Sequence, residues 1–295
     1  MPNTFQFELY EATEIQSKAR IGLAGPAGSG KTWTGLLLAT ELAQGAPIIV
    51  IDSENRSSAK YAKDFLFKVL PLKAPYSPAQ YVAAIKFAEL QQPGVIFVDG
   101  ISQAWAGEGG ALEMADQAAA RYQNNKFAGW RDVTPEHNKL VDSLVHCQTH
   151  LIISLRTKTE YILVDNGKGK TKPEKVGMAP IQREGMDYEM DIVLEMTIKH
   201  QALVSKTRMH SIDSKIYDPP TAELGKEILA WLSSGEIAPE TIEEHTKDNL
   251  ILFGQTLGLT PASIARELKK AELEFDPEQW DKMKTTLAAS VAANP

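Results

Sequence analysis

Gly25-Pro26-Ala27-Gly28-Ser29-Gly30-Lys31-Thr32 fits the pattern G-x-x-x-x-G-K-[ST] at each fixed position. The short, mostly apolar run Ala19–Ala24 before it reads as a buried strand. The segment after it, Thr32–Leu42, has apolar residues at helical spacing and stops at Gln44-Gly45. A strand, a glycine loop and a helix are the context in which this pattern holds phosphate. The glycines let successive N–H groups turn toward an anion, and the helix N-terminus adds its positive dipole end. Gly25, Gly28, Ser29 and Gly30 are assigned to the cradle, Lys31 to the β- and γ-phosphates, and the Thr32 hydroxyl to Mg²⁺. The expected ligand is a nucleoside triphosphate, taken as ATP with Mg²⁺.

The rest of the composition sets limits. The chain has 295 residues, 43% hydrophobic and 23% charged, which fits one large α/β domain with a small appendage. No apolar run approaches a membrane span, and the polar start Met1-Pro2-Asn3-Thr4 does not read as a signal peptide. Cys147 is the single cysteine, which rules out an intramolecular disulfide and suits a reducing cytoplasm, the expected location. The net charge of −7 supplies no general attraction to nucleic acid, so any such site must be a local basic patch.

Further strands follow the glycine loop in alternation with helices. Pro47–Glu54 is an apolar run that ends in two carboxylates, Gly94–Asp99 ends in one, and His150–Leu155 ends at Arg156. Between the first two, Ser77 and Pro78 mark the N-cap and first turn of a helix running to Leu90. This alternation predicts an α/β fold with a mainly parallel central sheet flanked by helices, and ligands at the carboxyl ends of its strands. Phe5, Phe7 and Leu9 alternate as in an edge strand. Residues 105–135 and 156–183 read as two loop regions. Strands are expected at 188–198 and 202–212, and a helix at 222–232 with Trp231 turned inward. Ser233-Ser234-Gly235 divides a core of residues 1–235 from an acidic helical C-terminal domain, 236–295, with helices at 240–257, 260–270 and 277–292.

Hydrolysis of a γ-phosphate needs a held Mg²⁺, a positioned water and positive charge in the transition state. Asp99 is the natural Mg²⁺-side carboxylate, acting through a metal-bound water. The residue after it is Gly100 rather than glutamate, so the base does not sit beside Asp99 as it does in AAA+ motors. Glu54, just past the neighbouring strand in Asp52-Ser53-Glu54, is the candidate base; the alternative is a solvated strand-end acid.

The strand ending in D-x-E with its glutamate as base resembles the RecA, RadA and DnaB class of P-loop ATPases. That resemblance implies that Tyr61, seven residues after Glu54, stacks on adenine. It also implies that Arg156 stands where RecA has a polar γ-phosphate sensor, although RecA uses glutamine there. Lys206-x-Arg208 is similar to a pair that DnaB-type helicases reach into a neighbour's ATP site, which implies a homo-oligomer with ATP at subunit interfaces. Several further runs recur in order: Val98–Ser102 with Trp105, Trp130–Pro135, Leu155–Tyr161, Gln182–Gly185, Tyr188-Glu189-x-Asp191 and Lys206–Arg208. Together they look like the phage-encoded RecA-like AAA-type ATPases that include ATP-binding single-strand annealing proteins. The resemblance implies a role in phage recombination or replication, in the host cytoplasm.

In RecA the two loops after the corresponding strands line the DNA channel. Residues 156–183 hold seven positive and three negative charges, with Asp165-Asn166-Gly167 as the turn of a hairpin. Lys168, Lys170, Lys172 and Lys175 are candidate phosphate contacts on single-stranded DNA, with Trp130 and Arg131 of the other loop as base-stacking and phosphate partners. The alternative is a solvated basic hairpin. His146, Cys147 and His150 lie within one helical turn in a helical reading but read better as a packed face than as a metal site. Asp187, Glu189 and Asp191 read better as a sheet edge or subunit contact than as a Mg²⁺ site. The competing functional class is a nucleotide-dependent adaptor that recruits a replication or single-strand-binding protein through residues 236–295 and touches DNA little. A small-molecule kinase is a weaker third reading, since no acceptor pocket is evident.

Overall fold

In the computed structural model, β1 (Arg20–Gly25) lies inside a nine-stranded sheet that is parallel through its centre. The structure describes residues 13, 16–165, 171–236, 250–251, 253–254, 257 and 259–293; side chains are described outside 159–178, 277 and 292–293. β2 (Ile48–Asp52), β4 (Val95–Asp99) and the first part of β5 (His150–Asp165) pair in parallel, and β1 sits between β5 and β7 (Ile192–Met196). Beyond β2 lies the edge strand β3 (Lys68–Pro71); beyond β7 lie the antiparallel β8 (Ala202–Thr207) and β9 (Ile216–Tyr217). Every residue of β1, β2 and β4 is buried, the signature of strands covered on both faces.

Each face has its own helices. α1 (Lys31–Ala43) and α6 (Ala222–Leu232) cover one face, with Leu36, Leu38, Leu42, Leu224, Ile228 and Leu232 packed on Ile21, Leu23, Val50 and Phe97. Gly35 is required there, because a Cβ at that position would lie 2.5 Å from Cζ of Phe97. α2 (Pro78–Glu89) and α5 (Lys126–Val145) cover the other face through Tyr81, Ile85, Leu140 and Leu144. The Ser77 side chain accepts from the Gln80 amide at 3.3 Å and Pro78 opens the helix, as the sequence predicts.

Residues 105–135 are helical rather than a loop. α3 (Gln103–Ala106) and α4 (Ala111–Ala119) lead into a 3₁₀ turn at Ala120–Tyr122 and then α5. The alanines that read as loop-like fall at 111, 115, 118 and 119, one helix face, and Gly129 lets α5 approach the backbone of α4 at Ala115 and Ala119. Two further expectations change. β5 does not end at Arg156 but runs on into the expected hairpin, pairing antiparallel with β6 (Thr171–Pro180). Of the expected strand at 188–198, the first part is a 3₁₀ turn at Met186–Glu189 before β7; at 202–212 the strand ends at Thr207, with a 3₁₀ turn at His210–Ile212.

His146 caps α5 and His150 opens β5, so these two and Cys147 do not share a helical turn. Arg20 organises that connection: its buried guanidinium donates to the carbonyls of Val145 (3.2 and 3.1 Å), Thr149 (3.0 Å), Ala19 (2.9 Å) and Cys147. Burial pushes the Cys147 thiol up to about 12 and His150 down to about 4.

The C-terminal residues form a separate apolar cluster. α7 (Pro261–Lys270), capped by Thr260, and α8 (Trp280–Ala293) bring Ile264, Trp280, Met283 and Leu287 together against Ala83 and Phe87 of α2 and Leu90 at its C-cap. Phe5, Phe7, Leu9 and most of the expected helix at 240–257 lie outside the described residues.

Candidate functional site

The glycine loop joins β1 to α1 at the carboxyl edge of the sheet. Gly28 and Gly30 have φ of +79° and +89°, and Gly30 occupies the N-cap position of α1. Gly25 has no room for a side chain: a Cβ there would lie 2.6 Å from Ser29 Oγ and 2.7 Å from the Met196 carbonyl oxygen. Ser29 is fully buried and its hydroxyl makes no hydrogen bond among the described residues. Lys31 Nζ donates to the Gly25 and Pro26 carbonyls, both at 2.8 Å, and burial lowers its pKa against the attraction of Asp99 and Glu54. The loop is therefore closed on its own lysine.

Thr32 and Asp99 meet below it. The Thr32 hydroxyl donates to Asp99 Oδ2 at 2.9 Å, and the Ser154 hydroxyl donates to Oδ1 at 2.7 Å. Burial raises the Asp99 pKa, opposed by those two hydrogen bonds. A hydroxyl and a buried carboxylate beside a phosphate loop are hard oxygen donors that fit Mg²⁺ holding its waters. When bound, that ion supplies positive charge to the β- and γ-phosphate oxygens.

Gly100 determines where the next carboxylate lies. Its φ is +100°, and a Cβ there would stand 2.9 Å from Glu54 Oε1, 3.0 Å from Glu54 Cγ and in close contact with Ser53 Oγ. The side chain of Glu54 thus occupies the space that a residue after Asp99 would fill. Asp52 fixes the approach: its carboxylate accepts from the amides of Glu54 (2.8 Å), Arg56 (3.1 Å) and Ser58 (3.0 Å), and from the Ser58 hydroxyl. Asp52 is therefore a turn-former, and the Glu54 side chain packs on Gly100. It is held by Arg156, whose Nε donates to Oε1 at 2.9 Å and whose Nη2 pairs with Oε2.

Tyr61 ends the 3₁₀ turn Ser57–Tyr61, with its ring 5.7 Å from Trp33, the third residue of α1, which also meets Phe65 at 4.9 Å. An aromatic corner therefore flanks the helix N-terminus, and only Tyr61 of the three was singled out by sequence. His200 was also missed. It lies in the β7–β8 turn at positive φ, and a Cβ on Gly30 would lie 3.0 Å from its Nδ1. Neither Trp33 nor His200 has a motif; adjacency of the β7 and β1 carboxyl ends is a product of the fold.

Lys206 and Arg208 stand at the other edge. Thr207 pairs with Ile192 and Ile192 with Ile21, so they lie toward the amino end of β1, about 13 Å from Gly25 along the strand. Lys206 Nζ donates to the carbonyls of Asp187 (2.9 Å), Tyr188 (2.5 Å) and Met190 (2.7 Å), and Arg208 pairs with Asp191 at 3.1 Å. The Asp187–Asp191 segment is thus held by cations, and no group of three or more metal-ligating side chains occurs among the described residues.

Trp130 stacks on Trp105 at 5.2 Å, with Trp105 edge-on to His137, so its ring is already engaged; Arg131 is exposed. Phe127, at the start of α5, is 91% exposed instead. Lys168 and Lys170 lie outside the described residues; Lys172 and Lys175 are placed on β6 by its backbone alone.

A family model described as an AAA domain matches residues 17–217. The chain belongs to that AAA domain family. The match spans the whole sheet of this AAA-like P-loop ATPase fold, from before β1 to β9. No curated protein sequence matches the chain. No helix among the described residues is long and apolar enough to cross a membrane.

Proposed function

We propose that the chain is an ATP hydrolase of RecA-like, phage-encoded type that acts on single-stranded DNA in recombination, annealing or replication. The observation that supports hydrolysis is Glu54 seated in the space left by Gly100, near enough to Asp99 and Lys31 for its charge to act on both. In this reading Glu54 takes a proton from water as the water oxygen attacks the γ-phosphorus. The bond to the β–γ bridging oxygen breaks, and ADP and phosphate leave. Lys31 leaves the Gly25 and Pro26 carbonyls to meet the phosphates, and Tyr61 offers its ring to the adenine.

Support for the DNA partner is topological. The strand that bears Ser154 and Arg156 beside the site continues, with a register shift between Glu160 and Tyr161, into the β5–β6 hairpin, whose sequence carries Lys168, Lys170, Lys172 and Lys175. Lysines there would contact phosphates without reading sequence, and their occupancy would be felt along β5. Lys206 and Arg208, distant from their own loop, suit a contact with a neighbouring subunit's nucleotide, so the active oligomer is proposed to complete each site between subunits.

The test is ATP turnover with and without single-stranded DNA, read beside particle size with a non-hydrolysable analogue. Stimulation that weakens as salt rises, in an assembly larger than a monomer, supports the proposal. A monomer whose turnover ignores DNA overturns it and favours an adaptor that recruits a partner protein.

A further inference from the structure

Gly100 leaves Glu54 its space, and both peptide units that flank the Gly100 Cα are tied down. On the amino side, the Gly100 N–H donates to the Ser154 hydroxyl at 2.8 Å, and the Asp99 carbonyl accepts from the Ser53 amide at 3.1 Å. On the carboxyl side, the Ile101 amide donates to the Ser154 carbonyl at 3.1 Å. The Gly100 carbonyl accepts from the Gln103 amide at 3.0 Å, the Ser53 hydroxyl at 2.9 Å and the Tyr81 hydroxyl at 3.1 Å. The Ser53 hydroxyl also lies 3.1 Å from the Asp99 carbonyl, and its single proton serves one acceptor at a time. Gln103 and Tyr81 are the donors that the Gly100 carbonyl keeps whichever way Ser53 turns.

Tyr81 differs from the others in origin. Ser53, Ser154 and Gln103 lie on or just beyond strands of the carboxyl edge, whereas Tyr81 is in the first turns of α2 and reaches the carbonyl from the helix layer. Its side chain is fully buried in the apolar layer with Ile85 and Ile101, a costly place for a hydroxyl without an acceptor. A bare ring would suit that layer, so the hydroxyl answers to Gly100. Burial pushes the phenol pKa up, which keeps it a donor, and the charges of Glu54 and Arg156 both reach it. We propose that Tyr81 is a positioning residue for hydrolysis: its hydroxyl fixes the Gly100 carbonyl, and Gly100 in turn fixes the seat of Glu54. At φ of +100° a glycine has wide freedom, and the hydrogen bonds select one orientation. Glu54 Oε1 and Cγ rest where a Cβ of residue 100 would stand, so a turn of that peptide moves the surface beneath them. This inference rests on the reading of Glu54 as the base.

The experiment compares Tyr81→Phe, Glu54→Gln and the wild-type full chain in single-turnover ATP hydrolysis at saturating nucleotide. AMP-PNP affinity, stoichiometry and Mg²⁺ requirement are measured beside it by calorimetry. Tyr81→Phe keeps the ring and should slow hydrolysis roughly tenfold, with AMP-PNP affinity within about twofold and one nucleotide bound per chain. Its Mg²⁺ requirement should stay at the wild-type value, since Thr32 and Asp99 keep their contacts. Should Tyr81→Phe not fold, Ser53→Ala strips the same carbonyl of a donor, leaves α2 untouched, and is read against the same outcomes. Hydrolysis at the wild-type rate overturns the inference. So does a rate that falls in step with the number of nucleotides bound, because the phenol then holds the fold alone. A raised Mg²⁺ requirement overturns it too, by routing the effect through Asp99. A full-rate Tyr81→Phe beside a hydrolysis-dead Glu54→Gln removes Tyr81 and leaves the base standing. Wild-type hydrolysis by Glu54→Gln removes the base, and the inference with it.

Discussion

Gly100→Ala separates the position of Glu54 from its chemistry. The methyl group meets two penalties. At φ of +100° an L-residue costs about 1–2 kcal/mol, and the new Cβ would stand 2.9 Å from Glu54 Oε1 and 3.0 Å from its Cγ. Neither gap admits a carbon in ordinary contact, so the Glu54 side chain must move by several tenths of an ångström or change rotamer. If Glu54 is the base as proposed, a displacement on that scale forfeits much of a contribution worth about 10²–10⁴ in rate, and turnover should fall about a hundredfold. The glycine loop is not touched, so ATP affinity by calorimetry should stay within about threefold. Gly45→Ala is the control, with a φ of +88° and no atom within 4 Å of the added Cβ. It carries the backbone penalty alone, so it should lose about 1–2 kcal/mol in urea denaturation with turnover intact. Wild-type turnover in Gly100→Ala, with the stability loss present, would refute the idea that Glu54 fills the place beside Asp99 for catalysis.

Three other perturbations follow from the same geometry. Asp99→Asn keeps the shape but removes the charge beside Thr32, so the Mg²⁺ needed for half-maximal nucleotide binding should rise about tenfold, with binding in EDTA unchanged. Arg20→Met strands the carbonyls of Val145, Thr149 and Cys147 and should cost about 3 kcal/mol in urea denaturation; a loss under 1 kcal/mol would mean that water replaces the guanidinium. His150 is held neutral by burial, its pKa falling from 6.5 to about 4, and its Nδ1 accepts from the Ala19 amide at 3.0 Å. The unfolded chain therefore binds the extra proton first. Stability from this group is complete above pH 6.5 and is lost as pH falls toward 4, by at most about 3 kcal/mol. The difference in pH slope between wild type and His150→Gln over that window measures it.

Local signals carried much of this fold. The glycine loop, the buried runs of β2 and β4, and the Ser77-Pro78 cap are each decided within a few residues, and each falls where the pattern places it. β3 was not legible because Lys68-Val69-Leu70-Pro71 is a short edge strand with exposed ends and no alternation to detect. The helices over 111–145 were obscured by alanine and glycine, whose small size is the reason α4 and α5 pack so closely. Within the site, Gly100 pointed to Glu54, but the pairing of Glu54 with Arg156 spans 102 residues and leaves no sequence trace. The same is true of Trp33 beside Tyr61 and of His200 beside Gly30, which depend on how the β2 turn and the β7–β8 turn meet the start of α1.

Glu54→Gln, measured for both nucleotide binding and single-turnover hydrolysis, separates holding ATP from cleaving it. With Glu54 as the base, the variant should bind ATP at least as tightly as the wild type and hydrolyse it at least about a hundredfold more slowly. Hydrolysis within about threefold of wild type, or loss of binding equal to the loss of turnover, would contradict a base seated at Glu54.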